Sequence, residues 1–257
     1  MPAAPSVSLF CPWASPSKWT RSSRSGPDLL NPGPTGFAHR GLHSGAAFPE
    51  NGLIAFAAAL EMGAGIECDL RLTADNQIVV FHDADAWRIC ASPMRIRESR
   101  LKDLARLRVG EHPIPTLKSL LKLAGGRVPL LLEIKVERDI WRWVPALKRE
   151  LLNYDGPFGV MSFDPRISRL LKTNVPEWRR GLVVRDSLTA VRRRLAIWLA
   201  DPQFMAVDRA ALGKSWVERV RGRIPVYTWT IRTVADRAQA SVHADAPIWE
   251  GDGRPRI

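Results

Sequence analysis

The sequence predicts an α/β fold closed as a single-domain (β/α)8 barrel, with a β-hairpin at the second strand. Three observations predict it. From Phe37 onward short apolar runs alternate with longer amphipathic ones, several of the short runs end in acids, bases or cations, and 257 residues suit one barrel better than two small domains. Alternation alone does not give strand order, so a doubly wound sheet is the competing arrangement.

In chain order, residues 36–39 form the first strand candidate and 51–62 the first helix candidate. Strand candidates at 65–70 and 78–82 follow. The turn-rich Thr73-Ala-Asp75-Asn76-Gln77 between them predicts an antiparallel hairpin, so 78–82 is a return strand outside the barrel count. A helix over 116–123 comes next, with Pro115 in its first turn, where a missing N–H costs nothing, and Gly125-Gly126 as its stop. The apolar strand 128–134 precedes a helix over 139–152, and strand 158–163 precedes a helix over 165–172 that Pro165 opens. The remaining pairs are 181–184 with 188–199, 204–207 with 214–220 and 225–230 with 234–240, and 247–249 supplies the last strand. Without the return strand, eight parallel strands are left.

Cys11, Cys68 and Cys90 form no C-x-x-C pair and leave an odd thiol, which argues against a disulfide framework and for a reducing, cytoplasmic setting. No apolar run approaches the ~20 residues of a membrane helix. Residues 1–26 carry Lys18, Arg21 and Arg24 without an acid and are rich in Ser and Pro. Residues 1–33 are therefore expected to be a disordered tail, a targeting leader or an early-assigned start, and residues 34–257 the barrel. A net charge of +12 draws in anions but says nothing of fold. The clusters Arg179-Arg180, Arg192–Arg194 and Arg219–Arg223 read as solvated outer faces, and no nucleic-acid partner is expected.

A barrel gathers the C-terminal ends of its strands at one mouth. Here those ends read Phe37-Ala-His39-Arg40-Gly41, Ile66-Glu67-Cys68-Asp69, Phe81-His82-Asp83 and Leu132-Glu133-Ile134-Lys135. Period-two geometry puts Glu67 and Asp69 on one face with Cys68 on the other, and pairs Glu133 with Lys135 opposite Ile134. A hairpin turning at Asp75-Asn76 sets residues summing to about 151 opposite each other, so His82 faces Asp69 within a residue. Three carboxylates converging on one mouth repel each other unless a cation is present, and oxygen-only ligands suit a hard divalent ion, Mg²⁺ or Ca²⁺. Two histidines beside it invite general acid–base work, and the Arg40 guanidinium next to His39 suits a phosphoryl oxygen. His43, His112 and His243 read as surface or supporting residues.

Together with Pro49-Glu-Asn51, Val79-Val-Phe-His-Asp83, Pro115-Thr-Leu117, Ser162-Phe163 and Tyr227-Thr-Trp-Thr230, these motifs occur in the order seen in the glycerophosphodiester phosphodiesterases, which the chain resembles from Phe37 to Thr230. The resemblance implies His39 and His82 as the catalytic pair, and Glu67, Asp69 and Glu133 as ligands of a divalent cation. It implies Arg40 and Lys135 as phosphate-binding cations, and Trp229 as a mouth aromatic that contacts glycerol. Glu50 and Asn51 resemble the loop that supports the first motif.

The chain departs from the family pattern in three places. Gly52 replaces the more usual Thr, residues 84–112 are too few for the insertion domain of some secreted members, and the ending Pro247-Ile-Trp-Glu-Gly-Asp-Gly253 leaves Glu250 and Asp252 without roles. The implied activity is metal-dependent hydrolysis of a small glycerophosphodiester to sn-glycerol 3-phosphate and an alcohol such as choline or ethanolamine, with lysophospholipids as an alternative substrate. A basic nucleic-acid-binding module and a catalytically dead scaffold are the rival readings, and the second expects lost site residues where none of the five is lost. Oligomeric state is not legible in the sequence.

Overall fold

A computed structural model of the chain describes residues 30–255. The strands are β1 (Phe37–His39), β2 (Gly65–Leu72), β3 (Ile78–Val80), β4 (Arg108–Val109), β5 (His112–Pro113), β6 (Leu130–Ile134), β7 (Phe158–Ser162), β8 (Arg179–Val184), β9 (Phe204–Asp208), β10 (Val226–Ile231) and β11 (Ala246–Trp249). The helices are α1 (Leu53–Glu61), α2 (Trp87–Cys90), α3 (Leu101–Leu104), α4 (Leu117–Ala124), α5 (Trp143–Leu151), α6 (Pro165–Asn174), α7 (Ala190–Ala200), α8 (Ser215–Arg221) and α9 (Val234–His243).

Around the ring the order is β1, β2, β6, β7, β8, β9, β10, β11, every pairing is parallel, and β1 closes it by pairing with both β2 and β11. This is a (β/α)8 barrel and not a doubly wound sheet, because β1 leaves no free edge. Strand alternation sorts the core into two shells. Ile66, Cys68, Leu70, Leu130, Leu132 and Ile134 point out into the layer beneath the helices. Phe37, Leu131, Met161, Val183, Phe204 and Tyr227 fill the barrel itself. Phe204 has room because glycines face it: a Cβ at Gly181 would stand 2.3 Å from its ring, and one at Gly159 2.9 Å. Leu30 is buried in the same inner cluster and accepts a hydrogen bond from the Tyr227 hydroxyl at 3.2 Å. Leu30, expected with the N-terminal tail, thus packs inside the barrel, and residues 1–29 of that segment lie outside the described residues.

The hairpin is present with its register one residue from expectation. Leu70, Arg71 and Leu72 pair with Val80, Val79 and Ile78, a sum of 150. The turn is five residues centred on Asp75, closed by Thr73 N–H donating to Gln77 O at 2.9 Å. Phe81 therefore meets Asp69, its N–H donating to Asp69 O at 2.9 Å, and His82 follows in the loop after β3. Because β2 outruns β1, whose pairing ends at His39 opposite Glu67, its last residues stand above the rim and β3 returns toward the mouth beside them.

Residues 84–112, to which no element was assigned, form a small lobe. The helices α2 and α3 and the β4–β5 pair cover a satellite core of Val79, Phe81, Ala86, Ile96, Leu104, Val109 and Ile114. Each element is two to four residues long, too short to carry a hydrophobic period. Pro165 opens α6 as expected, but Pro115 precedes the N-cap of α4, because Thr116 takes that position in a capping box with Ser119. Arg180 also departs from the solvated reading of the basic clusters: it is buried and donates from Nε to Asp201 O at 3.1 Å.

Candidate active site

The mouth is built from strand ends. On β2, Glu67 and Asp69 are 1% exposed, and Glu133 on neighbouring β6 is in register with Asp69. One carboxylate oxygen from each of the three lies within 4.8 Å of those from the other two. The Lys135 ammonium stands 2.9 Å from Asp69 Oδ1 and also donates to Glu133, and Arg40 Nε is 3.0 Å from Asp69 Oδ2. Arg40 holds this position through a left-handed backbone (φ 55°) just past the end of β1, and its N–H donates to Glu67 Oε2 at 3.2 Å.

Two cations do not balance three buried acids, and the pKa directions follow. Burial, then the Asp69 and Glu133 charges, push Glu67 well above the ordinary carboxylate value. Burial also raises Asp69, but Lys135 and Arg40 outweigh it and hold that carboxyl well below its ordinary value. Glu133 is raised, first by burial. An all-oxygen, buried, charge-excess cluster fits a hard divalent cation, which would remove the penalty that Glu67 otherwise avoids only by protonation.

Both histidines line the same cavity of about 370 Å³, with Arg40, Glu67, Glu133 and Lys135. Each is tied through Nδ1 to a carboxylate: His39 to Glu250 Oε2 at 2.6 Å, and His82 to Asp83 Oδ1 at 2.7 Å. With those protons on Nδ1, each Nε2 is left as the acceptor, and His39 Nε2 lies 3.9 Å from Glu67. Burial lowers the pKa of both imidazoles; the hydrogen bond that His39 donates to Glu250 opposes this at His39, and the Asp69 charge opposes it at His82.

The carboxylates are themselves held. Arg88 donates to Asp83 at 2.6 Å and forks onto Glu50 at 2.7 and 2.9 Å, and Glu50 accepts from Arg40 at 2.9 Å. One chain of ion pairs therefore runs from His82 to Asp69. Asn51, with φ 58°, donates to Asp69 Oδ2 at 2.8 Å and accepts from Asp69 N–H at 3.2 Å. A second set, His39, His43 and Glu250, also brings potential ligand atoms within 4.8 Å. There Glu250 is already engaged by His39 and by Arg232 Nε at 2.5 Å, so hydrogen bonding accounts for it.

All eight residues singled out in the sequence line or adjoin this mouth. Trp229 is on the far wall, its Nε1 donating to Ala206 O at 3.2 Å and its ring edge-to-face with Phe163 at 5.5 Å. Sequence reasoning missed Glu250. The signal was present: like the other motifs, it is an acid directly after an apolar strand, Trp249-Glu250. His43 contacts Glu250 at 3.6 Å, in a supporting place, whereas His243 pairs with Glu218 elsewhere.

Residues 39–246 match the profile of the Glycerophosphoryl diester phosphodiesterase family. A glycerophosphodiester phosphodiesterase of Bacillus altitudinis is 33% identical over 124 residues, spanning 45% of this chain and 49% of that one. One from Caldanaerobacter subterraneus subsp. tengcongensis is 29% identical over 166 residues, 59% of this chain and 67% of that one. Among solved structures, an Oleispira antarctica phosphodiesterase in complex with the product sn-glycerol-3-phosphate superposes with a TM-score of 0.75 at 23% identity, covering 84% of this chain and 92% of that one. This last likeness is one of fold.

Proposed function

The chain belongs to the glycerophosphoryl diester phosphodiesterase family, and from that premise we propose that it hydrolyses glycerophosphodiesters to sn-glycerol 3-phosphate and an alcohol by two-histidine, divalent-cation-dependent catalysis. The observation that carries this reading is the convergence of His39, His82, Glu67 and Glu133 on one cavity, with Asp69 grouped with the two glutamates and Arg40 and Lys135 beside them.

Glu67, Asp69 and Glu133 would hold the ion, Mg²⁺ or Ca²⁺, which when bound supplies fixed positive charge for the phosphoryl oxygens. Arg40 and Lys135 add cationic donors on the same rim. One imidazole Nε2 takes the proton of the nucleophile, water or a neighbouring glycerol hydroxyl, as its oxygen forms a bond to phosphorus. The other, protonated, gives its proton to the departing alkoxide as the second P–O bond breaks. Glu250 and Asp83 keep the imidazoles oriented and stabilise each when it carries the extra proton. Among the described residues no helix is long and apolar enough to cross a membrane.

The test is release of sn-glycerol 3-phosphate by the purified protein from a panel of glycerophosphodiesters, with single-stranded DNA as a control phosphodiester. Release from the glycerol diesters alone is expected. Failure on all of them with Mg²⁺, Ca²⁺ and Mn²⁺ would overturn the reading.

A further inference from the structure

The mouth has two poles. Counting around the ring, β8 stands four places from β1 in either direction, so Arg185, which follows β8, lies across the cavity from His39, which ends β1. A diester held by its phosphorus beside the histidines extends one arm toward that far wall, where Phe163, Arg185, Asp208, Trp229 and Arg232 are exposed to the cavity; with the second arm there, Trp229 faces that arm in place of the glycerol that the resemblance implied for it.

An aromatic wall is the usual receptor for a quaternary ammonium, provided a ring face is open. Here the Phe163 ring already carries two cations: the Arg185 guanidinium at 4.6 Å from its centroid and the Lys135 ammonium at 5.8 Å. It also pairs edge-to-face with Trp229 and packs against the inner core. A third cation meets repulsion there, whereas an anion meets a guanidinium held in place by the ring beneath it.

Arg185 is also unspent. Among the described residues no carboxylate lies within salt-bridge distance of it, and its neighbour Asp186 is taken by Lys214 at 2.6 Å. The other arginines of this wall are engaged, Arg209 with Asp236 at 2.8 Å and Arg232 with Glu250 at 2.5 Å. The wall's one acid outside those pairs, Asp208, accepts from Ala210 N–H at 3.0 Å as a helix cap.

We infer that Arg185, seated on Phe163, is a specificity-determining residue that selects glycerophosphodiesters whose second arm carries an anionic group over those carrying only an ammonium. This rests on the hydrolytic reading and names its substrate class. Glycerophosphoserine and glycerophosphoethanolamine test it, since they differ by a single carboxylate. In the wild-type protein kcat/KM for the serine diester exceeds that for the ethanolamine diester by about tenfold, the size of one partly screened ion pair. In Arg185→Ala the ratio falls to near one, in Arg185→Glu it inverts, and in Arg185→Lys part of it survives. A wild-type ratio near one, or a ratio that Arg185→Ala leaves in place, overturns the inference.

Binding of the same two diesters to His82→Ala protein, with and without Arg185→Ala, separates this from the hydrolytic reading. If wild-type protein turns over neither diester, hydrolysis fails as a function. A serine preference in binding that Arg185→Ala abolishes then still supports the subsite, and equal or absent binding of the two overturns it.

Discussion

His39 Nδ1 lies 2.6 Å from Glu250 Oε2, although 211 positions separate the two residues in sequence. Register explains the meeting: β1 pairs with β11 so that Ala38 faces Trp249, and the residues following that pair emerge side by side at the mouth. The same barrel closure that removes the last free edge therefore gives the His39 imidazole its carboxylate.

Glu250 is a positioning residue, and its loss should act through His39. Glu250→Ala should lower kcat by roughly 10–100-fold, a share of what general acid–base catalysis supplies, with the melting temperature little changed. Glu250→Gln, which keeps an acceptor, should fall between. The sign of the pH effect follows from the local forces: burial lowers the His39 pKa and Glu250 opposes it, so without Glu250 that pKa drops further. The limb of the pH–kcat/KM profile belonging to His39 should move to lower pH in both variants. A merely structural Glu250 would instead lower the melting temperature and leave the profile in place.

His39→Ala and His82→Ala should each cost about 10²–10⁴ in turnover while retaining the wild-type melting curve. Both side chains line an open cavity, so their truncation leaves the inner and outer packing shells untouched. Near-normal turnover in either purified variant would remove that residue from the mechanism.

Much of this arrangement was legible because strand period two and the barrel rule act together. Glu67-Cys68-Asp69 sorts itself by alternation alone, and the structure puts Cys68 in the outer layer with both acids inside. Placing His82 within a residue needed only the hairpin. What was not legible depended on contacts between distant segments. Nothing local marks Arg88 as the clamp joining Asp83 to Glu50, and nothing local to Leu30 says that it packs inside the barrel. The lobe of residues 84–112 stayed hidden because tertiary packing, not periodicity, holds its short elements. Glu250 was overlooked because the family's closing motif is altered there, although its own strand-end position carried the signal.

Stability should report the acid cluster independently of activity. Burial and two neighbouring carboxylates raise the Glu67 pKa above the ~4.3 of an unfolded glutamate. A raised folded pKa contributes stability below the unfolded value and loses it as pH rises through the folded one. In EDTA the Glu67 contribution to the melting temperature should therefore fall as pH is raised from 5 toward 8, by roughly 2–4 °C for each kcal/mol in a domain of this size. His39 and His82, whose pKa values are lowered, contribute with the opposite sign, so the effect is read as the difference between wild type and Glu67→Gln. Glu67→Gln should flatten that slope, and millimolar Mg²⁺ should restore the wild type at pH 8 but not the variant. A slope identical in the two proteins would mean that Glu67 is not the strained acid.

The most direct measurement is turnover of a glycerophosphodiester by chelated protein as Mg²⁺ or Ca²⁺ is titrated back. Negligible sn-glycerol 3-phosphate release is expected in EDTA, with saturable recovery as the ion returns and weakened recovery in Glu67→Ala, most of it at high ion concentration. Full wild-type turnover after thorough chelation would contradict metal dependence.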